Sequence, residues 1–217
     1  MRLAIAAFLL LITSFVSAQQ RYLVDWESVG EETLNHLSEL IQIDSINPPG
    51  NETRVTNYLE AILDSEDIRS EIFALDPERA NLVARIKGNG SKEPILIMGH
   101  TDVVGVQAER WTEEPFSGLR KDGWLYGRGS LDDKDTVAAG LMVMLMLKRY
   151  GVELDRDVIF LAEAGEEGTP DVGINFMVDK HWDKIAAEYC LAEGGGGILE
   201  DQGVKVVEVQ TTEKMPR

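Results

Sequence analysis

The run Val158-Ile159-Phe160-Leu161-Ala162 constrains this chain more than any other stretch. Apolar residues that do not alternate with polar ones leave no face for water, so the run reads as a central strand covered on both sides and parallel to a neighbour. The cover stands just ahead of it. From Lys134 to Tyr150 nearly every position is apolar until Lys148 and Arg149, close to Gly151. That pattern describes a buried helix with a favourable C-terminal charge and cap.

The remaining elements alternate around this pair. Leu34, Leu37, Leu40 and Ile41 have helical spacing, which predicts a helix over 31–43 that stops before Asn47-Pro48-Pro49-Gly50. A second amphipathic helix is expected over 53–64, and another from Val172 to about Ile185. Ile68 to Leu75 and Asn81 to Lys87 alternate as half-exposed strands, and Pro94 to Met98 is a short apolar strand. Ser117 to Leu125 predicts a hairpin turning at Lys121-Asp122-Gly123, and Tyr189–Ala192 and Val204–Thr211 read as strands. The expected class is therefore α/β: three layers, α/β/α, about a mixed, largely parallel sheet.

Composition narrows the setting. At 217 residues, with 44% hydrophobic and 27% charged content, the chain can bury one good core. A formal charge of −17 argues against nucleic acid or an anionic membrane as partner. At the N-terminus, Arg2, the apolar run Leu3–Ile12, and Ser17-Ala18 before Gln19 form the pattern of a secretory signal peptide. Even the stretch to Val16 is shorter than the roughly 20 apolar residues of a spanning helix, which argues against the alternative, an uncleaved N-terminal anchor. Residues 1–18 are thus expected to be removed after Ala18, leaving a secreted or periplasmic protein with no membrane attachment. Cys190 is the single cysteine, so no internal disulfide forms; in its apolar run it reads as a small core residue.

Chemistry concentrates in four glycine-punctuated segments, MGHTDVV, YGRGSLDDKD, AEAGEEG and LAEGGGG. His100, Glu163–Glu167 and Glu193 each follow an expected strand, and α/β sheets bind ligands at the carboxyl ends of their strands. One imidazole with several acids is the ligand set of a hard or borderline divalent cation, most often zinc in a hydrolase. Taken singly, each motif also has a plainer reading. His100 with Asp102 two residues on could be a satisfied loop histidine, although a carboxylate there can fix the tautomer of a ligand. Asp132 and Asp133 could be acids favoured at a helix N-terminus, and Glu166 and Glu167 a solvated loop pair. Gly127-Arg128-Gly129 is not a dinucleotide fingerprint, because no glycine stands three residues after Gly129. His36 and His181 read as surface or boundary residues.

Together, in this order and at these separations, the four segments resemble the M20 family of metallopeptidases and amidohydrolases, from about Glu31 to Lys214. That family includes two-zinc carboxypeptidases, dipeptidases, aminoacylases and desuccinylases. The resemblance implies a zinc-exopeptidase-like catalytic domain, with residues 19–217 as its N-terminal part. A lid and dimerisation domain and a last histidine ligand would follow, so a homodimer is expected only with that lid. It assigns His100, Asp132 and Glu193 to one metal, and Asp132 as a bridge with Glu167 to a second. Glu166 becomes the general acid/base, Asp102 the partner of His100, and Asp133 a residue shaping the loop. The cofactor would be two Zn2+ per complete site, with cobalt or manganese as alternatives, and the substrate a small peptide or an N-acyl amino acid. Asp135 stands where the family often has glycine, and Gly165 where an acid is common. Two other readings stay open: a metal-binding fragment without activity, and a generic acidic exported cation-binding protein. The strand-end placement of the ligands and the lack of a D-x-D-x-D-G loop argue against the latter.

Overall fold

Six buried residues in a row, Val158–Glu163, form the middle strand (β6) of a five-stranded sheet in the computed structural model, which describes residues 22–194, 198–201 and 204–207. The sheet order is β1-β2-β6-β3-β7, with β1 at Ser70–Ala74, β2 at Ala80–Ile86, β3 at Ile95–His100 and β7 at Tyr189–Leu191. β3 runs parallel to both β6 and β7, whereas β2 is antiparallel to β6 and to β1. The sheet is mixed, and its parallel half is the one that carries the chemistry. In the β3–β6 register Gly99 stands opposite Ala162 and His100 opposite Glu163. Two strands therefore end side by side.

Successive residues of β6 point to opposite faces, and each face has its own cover. On one side Phe160 packs with Leu40 and Ile41 of helix α1 (Trp26–Gln42), Leu59 of α2 (Thr53–Ser65), and Val137 and Leu141 of α3 (Lys134–Arg149). On the other, Ile159 and Leu161 meet Val83, Leu96, and Met177 and Ile185 of α4 (Ile174–Ile185). Each large apolar side chain so enclosed contributes about 1.5–3 kcal/mol. The three-layer expectation holds on this geometry.

Several boundaries and environments differ from the sequence reading. α1 starts at Trp26 because Asp25 caps it, accepting from the Ser28 N–H at 3.2 Å. β2 is buried along its first five residues and is not a half-exposed strand, since β1 and β6 flank it and helices lie over its faces. Ahead of α4 a 3-10 turn occupies Pro170–Val172, so the helix itself begins at Ile174. Cys190 is exposed rather than in the core, because β7 is the end strand of the sheet among the described residues. The hairpin of β4 (Leu119–Lys121) and β5 (Trp124–Tyr126) turns at Asp122 and Gly123, with φ of 52° and 82°, the two positive values of a type I′ turn. β8 (Ile198–Asp201) pairs antiparallel with β9 (Val204–Val207); the expected strand to Thr211 is described only that far. The expected signal peptide, most of the Gly194–Gly197 run and Lys214 lie outside the described residues. No described helix is long and apolar enough to cross a membrane.

Candidate metal centre

His100 is the last residue of β3 and is almost wholly buried, at 1% exposure. Its Nδ1 lies 3.0 Å from the backbone carbonyl of Asp102, which can only accept; Nδ1 therefore donates and Nε2 is the nitrogen left to bind. Around Nε2 stand Asp132 Oδ1 at 2.8 Å, Glu193 Oε2 at 3.5 Å and Glu166 Oε2 at 3.8 Å. These acids come from three separate loops. Two sets of potential ligand atoms lie within 4.8 Å of one another, His100 with Asp133 and Glu193, and His100 with Glu166 and Glu167.

Between the adjacent aspartates the hydrogen bonds decide. Asp133 is buried behind the histidine and its Oδ2 already accepts from the His100 N–H at 3.1 Å, whereas Asp132 faces Nε2 directly. Asp133 thus holds the loop against the end of β3, and Asp132 presents its oxygen to Nε2. Gly99 is glycine for a local reason, since a Cβ there would stand 2.8 Å from Asp133 Oδ2.

Asp102 meets the histidine by two routes. Its carbonyl makes the shorter contact to Nδ1, and its carboxylate, 3.5 Å from the same nitrogen, also serves other donors. Oδ2 accepts from Asn47 Nδ2 at 2.8 Å and from the Glu167 N–H at 3.1 Å, and Oδ1 from the Glu166 N–H at 3.1 Å. Despite burial, these donors and His100 hold its pKa below the ordinary value. A single buried carboxylate therefore fixes the backbone of the glutamate pair.

The electrostatics call for a cation. Burial opposes charge on His100, but the carboxylates of Asp102, Asp133 and Glu166 outweigh it and push the pKa up to about 10. Glu167 and Glu193 are both raised, by burial first and then by Asp132. Glu163, at the end of β6, is raised by burial to about 8, and its Oε2 is buried with no hydrogen-bond partner. A divalent cation at Nε2 would replace a proton on the ring and relieve the mutual repulsion of the acids. One imidazole nitrogen plus carboxylate oxygens suits zinc, cobalt or manganese, so the residues present fit a metal.

Three contributors have roles that the motifs do not assign. Glu163 lines a cavity of about 260 Å³ with His100, Glu166 and Glu193; its signal was an acid closing an otherwise apolar strand. Asn47 reads as a helix stop, yet it also donates to Thr169 Oγ1 at 2.8 Å and so ties its loop to the glutamate loop. Lys134 is fully buried and donates from Nζ to the Leu40 and Ile43 carbonyls at 2.9 and 2.7 Å, pinning the aspartate loop to the end of α1. His36 and His181 lie away from this centre, one against Tyr58 and the other between Phe73 and Phe176.

The sequence pattern of peptidase family M20/M25/M40 matches residues 96–216, a span holding every acid and the histidine of this centre. The chain belongs to that family. A probable succinyl-diaminopimelate desuccinylase of Staphylococcus aureus is 35% identical over 188 residues, covering 85% of this chain and 46% of that protein. A succinyl-diaminopimelate desuccinylase of Methylorubrum populi is 40% identical over 121 residues, 53% of this chain and 30% of its own length. The M20 chain spans about half the length, or less, of these curated relatives. Among solved structures, an M20 family metallo-carboxypeptidase of Sulfolobus solfataricus superposes with a TM-score of 0.66 at 27% identity, over 76% of this chain and 38% of that one. Human carnosine dipeptidase 1 shares the fold with a TM-score of 0.65 at 20% identity, over 79% of this chain and 41% of its own.

Proposed function

We propose that this M20 chain carries the main metal-binding and proton-transfer groups of a zinc-dependent hydrolase acting on the amide bond of a small peptide or an N-acyl amino acid. The observation that carries the reading is the convergence of Asp132, Glu193 and Glu166 on Nε2 of a buried histidine whose other nitrogen is fixed by a carbonyl. The relatives named as desuccinylase and metallo-carboxypeptidase support it.

His100, Asp132 and Glu193 would hold one ion, and Asp132 with Glu167 would contribute to a second. When bound, zinc supplies electrophilic polarisation of a carbonyl and lowers the pKa of water at the site. Glu166 is the proton carrier. Its side chain is 41% exposed, on the open side of the cluster, while the Asp102 carboxylate holds its N–H and fixes its backbone. It takes the proton of the attacking water and hands it to the leaving amine nitrogen. Asp102 is a positioning residue, keeping Glu166 and Glu167 in register with His100.

The test compares two variants for metal content and for hydrolysis of dipeptides and N-acyl amino acids. Glu166→Gln should keep its metal and lose on the order of 10² or more in turnover, whereas His100→Ala should lose the metal itself. Equal loss of metal in both would remove Glu166 from its role. Full metal occupancy with no hydrolysis in the parent chain would favour a metal-binding protein without this activity. We also propose export, with cleavage after Ala18. Mass spectrometry of material from the native host should show a chain beginning at Gln19, and recovery of one beginning at Met1 would count against it.

A further inference from the structure

A cavity of about 600 Å³ lies toward the end of the sheet opposite the metal centre, and Arg69, Arg85, Lys87 and Lys184 line it with Glu71 and Asp183. β2 runs against β6, so Ile86 stands opposite Val158, the first residue of β6, while His100 and Glu163 close the other end of the central strands. A six-residue strand, roughly 20 Å long, separates the two places. In the whole chain acids outnumber lysines and arginines by 38 to 21, yet here four cations meet Glu71, Asp183 and the Asp157 carboxylate that two of them touch. The local balance is reversed.

Strand alternation gathers these groups. Val83, Arg85 and Lys87 are two residues apart along β2 and its extension, so they share the face on which Val83 packs with Met177 and Ile185 of α4. Arg85 is held from two sides, donating to Asp157 Oδ2 at 3.0 Å and to the Lys184 carbonyl in the last turn of α4 at 2.8 Å. Lys184 Nζ meets both oxygens of Glu71, at 3.0 and 2.8 Å. These two cations are anchored. Lys87 touches Asp157 at 2.7 Å, but its side chain is 74% exposed, and Arg69, also exposed, has no carboxylate partner among the described residues. An exposed ion pair is weak, so Lys87 gives up little by turning to a ligand.

Two guanidiniums and two ammoniums about one cavity suit an anion with several oxygens, and a guanidinium fork pairs with two oxygens of a phosphate at once. We propose that this cavity binds the dianionic phosphate group of a small molecule, with Arg69 and Lys87 turning to it beside the anchored Arg85 and Lys184. Small-molecule sites span roughly 300–1,000 Å³. A bare phosphate would leave much of this volume unfilled, so a phosphate monoester is the better fit. The site lies apart from the metal centre and does not rest on the hydrolase reading.

Glycerol 2-phosphate and inorganic phosphate are the probes, since both are dianions at slightly alkaline pH and one of them is an ester. Each is titrated by calorimetry, at constant ionic strength, into the whole chain after metal has been removed on a chelating resin. Glycerol 2-phosphate should bind saturably, about tenfold more weakly to the double variant Arg69→Gln/Lys87→Gln, in line with the loss of charge-assisted hydrogen bonds. Binding should be unchanged in His100→Ala, which disables the metal centre. Tighter binding of the ester than of inorganic phosphate identifies a monoester as the ligand, and equal affinity identifies free phosphate; both keep a phosphate dianion on these cations. No saturable binding of either probe, equal affinity of parent and double variant, or a loss in His100→Ala as large as in the double variant would overturn the proposal. Should the double variant fail to fold, as judged by its melting, the two single variants carry the test. Each must then weaken binding about threefold, and failure of either to do so overturns it.

Discussion

Asp102 shows how far one side chain can govern a metal site without being a ligand. It is wholly buried, and its carboxylate accepts from the Asn47 side chain and from the N–H groups of Glu166 and Glu167. Asp102→Asn turns one acceptor into a donor facing donors, leaving at least one N–H without a partner. We expect it to cost about 2–3 kcal/mol in stability and on the order of tenfold to a hundredfold in zinc affinity. Chemical denaturation and a zinc competition assay measure the two effects. Unchanged zinc affinity would mean that the glutamate loop holds its shape without this carboxylate. The residues that converge around His100 were legible in the sequence because each sits in a local segment with its own glycines. Asn47 and Glu163 were not, because what they do depends on a neighbour far away in the chain: Asn47 serves Asp102, and Glu163 matters for the unpartnered oxygen it buries beside His100.

At the scale of elements, β6 was legible because it is apolar along its length and buried at every residue, and α3 because its apolar run packs on the sheet, although Ala139 and Val143 face outward. The hairpin was legible from Asp122-Gly123, which accept two positive φ values. β2 misled, since Asn81 looks like an outward polar residue. In fact its side chain is buried, donating to the Val172 carbonyl at 2.8 Å and accepting from the Ala164 N–H at 2.9 Å. Gly140 makes the same point in a testable form. By helix propensity alone, alanine in mid-helix should stabilise by about 1 kcal/mol over glycine. Here the new Cβ would stand 2.5 Å from Phe160 Cε2, so α3 lies close on the sheet because residue 140 has no side chain. Gly140→Ala should therefore destabilise by about 1–3 kcal/mol through overpacking. A higher melting temperature for this variant would show that the Phe160 ring can move aside.

For the whole molecule, the decisive quantity is the clustering of negative charge at one end of a sheet that also supplies the core. A raised carboxyl pKa means the fold prefers the neutral acid, so the stability associated with Glu163 is greatest below its ordinary value of 4.5 and declines as pH rises toward about 8. Glu167 and Glu193 are shifted in the same direction. His100 has the same sign by the complementary route: its raised pKa adds stability below 6.5 that is lost as pH rises toward about 10. Without a divalent cation, then, the chain should melt at progressively lower temperature from pH 4.5 to 8. Zinc changes the sign of the problem, because deprotonated groups are the ones that bind it. At a free concentration about a hundredfold above its dissociation constant, it adds about 2.7 kcal/mol, worth roughly 5–10 °C for a domain of this size. The gain should be largest at the alkaline end and absent in His100→Ala. Sodium chloride should reproduce only a small part of it, since salt screens exposed charges such as Asp132 and Glu193 but reaches the buried His100 and Glu163 far less. Calorimetry across this range with chelator, with zinc and with salt separates the cases. If salt restored stability as well as zinc did, or if His100→Ala kept the zinc effect, the cluster would be ordinary surface repulsion and not a site organised about one imidazole.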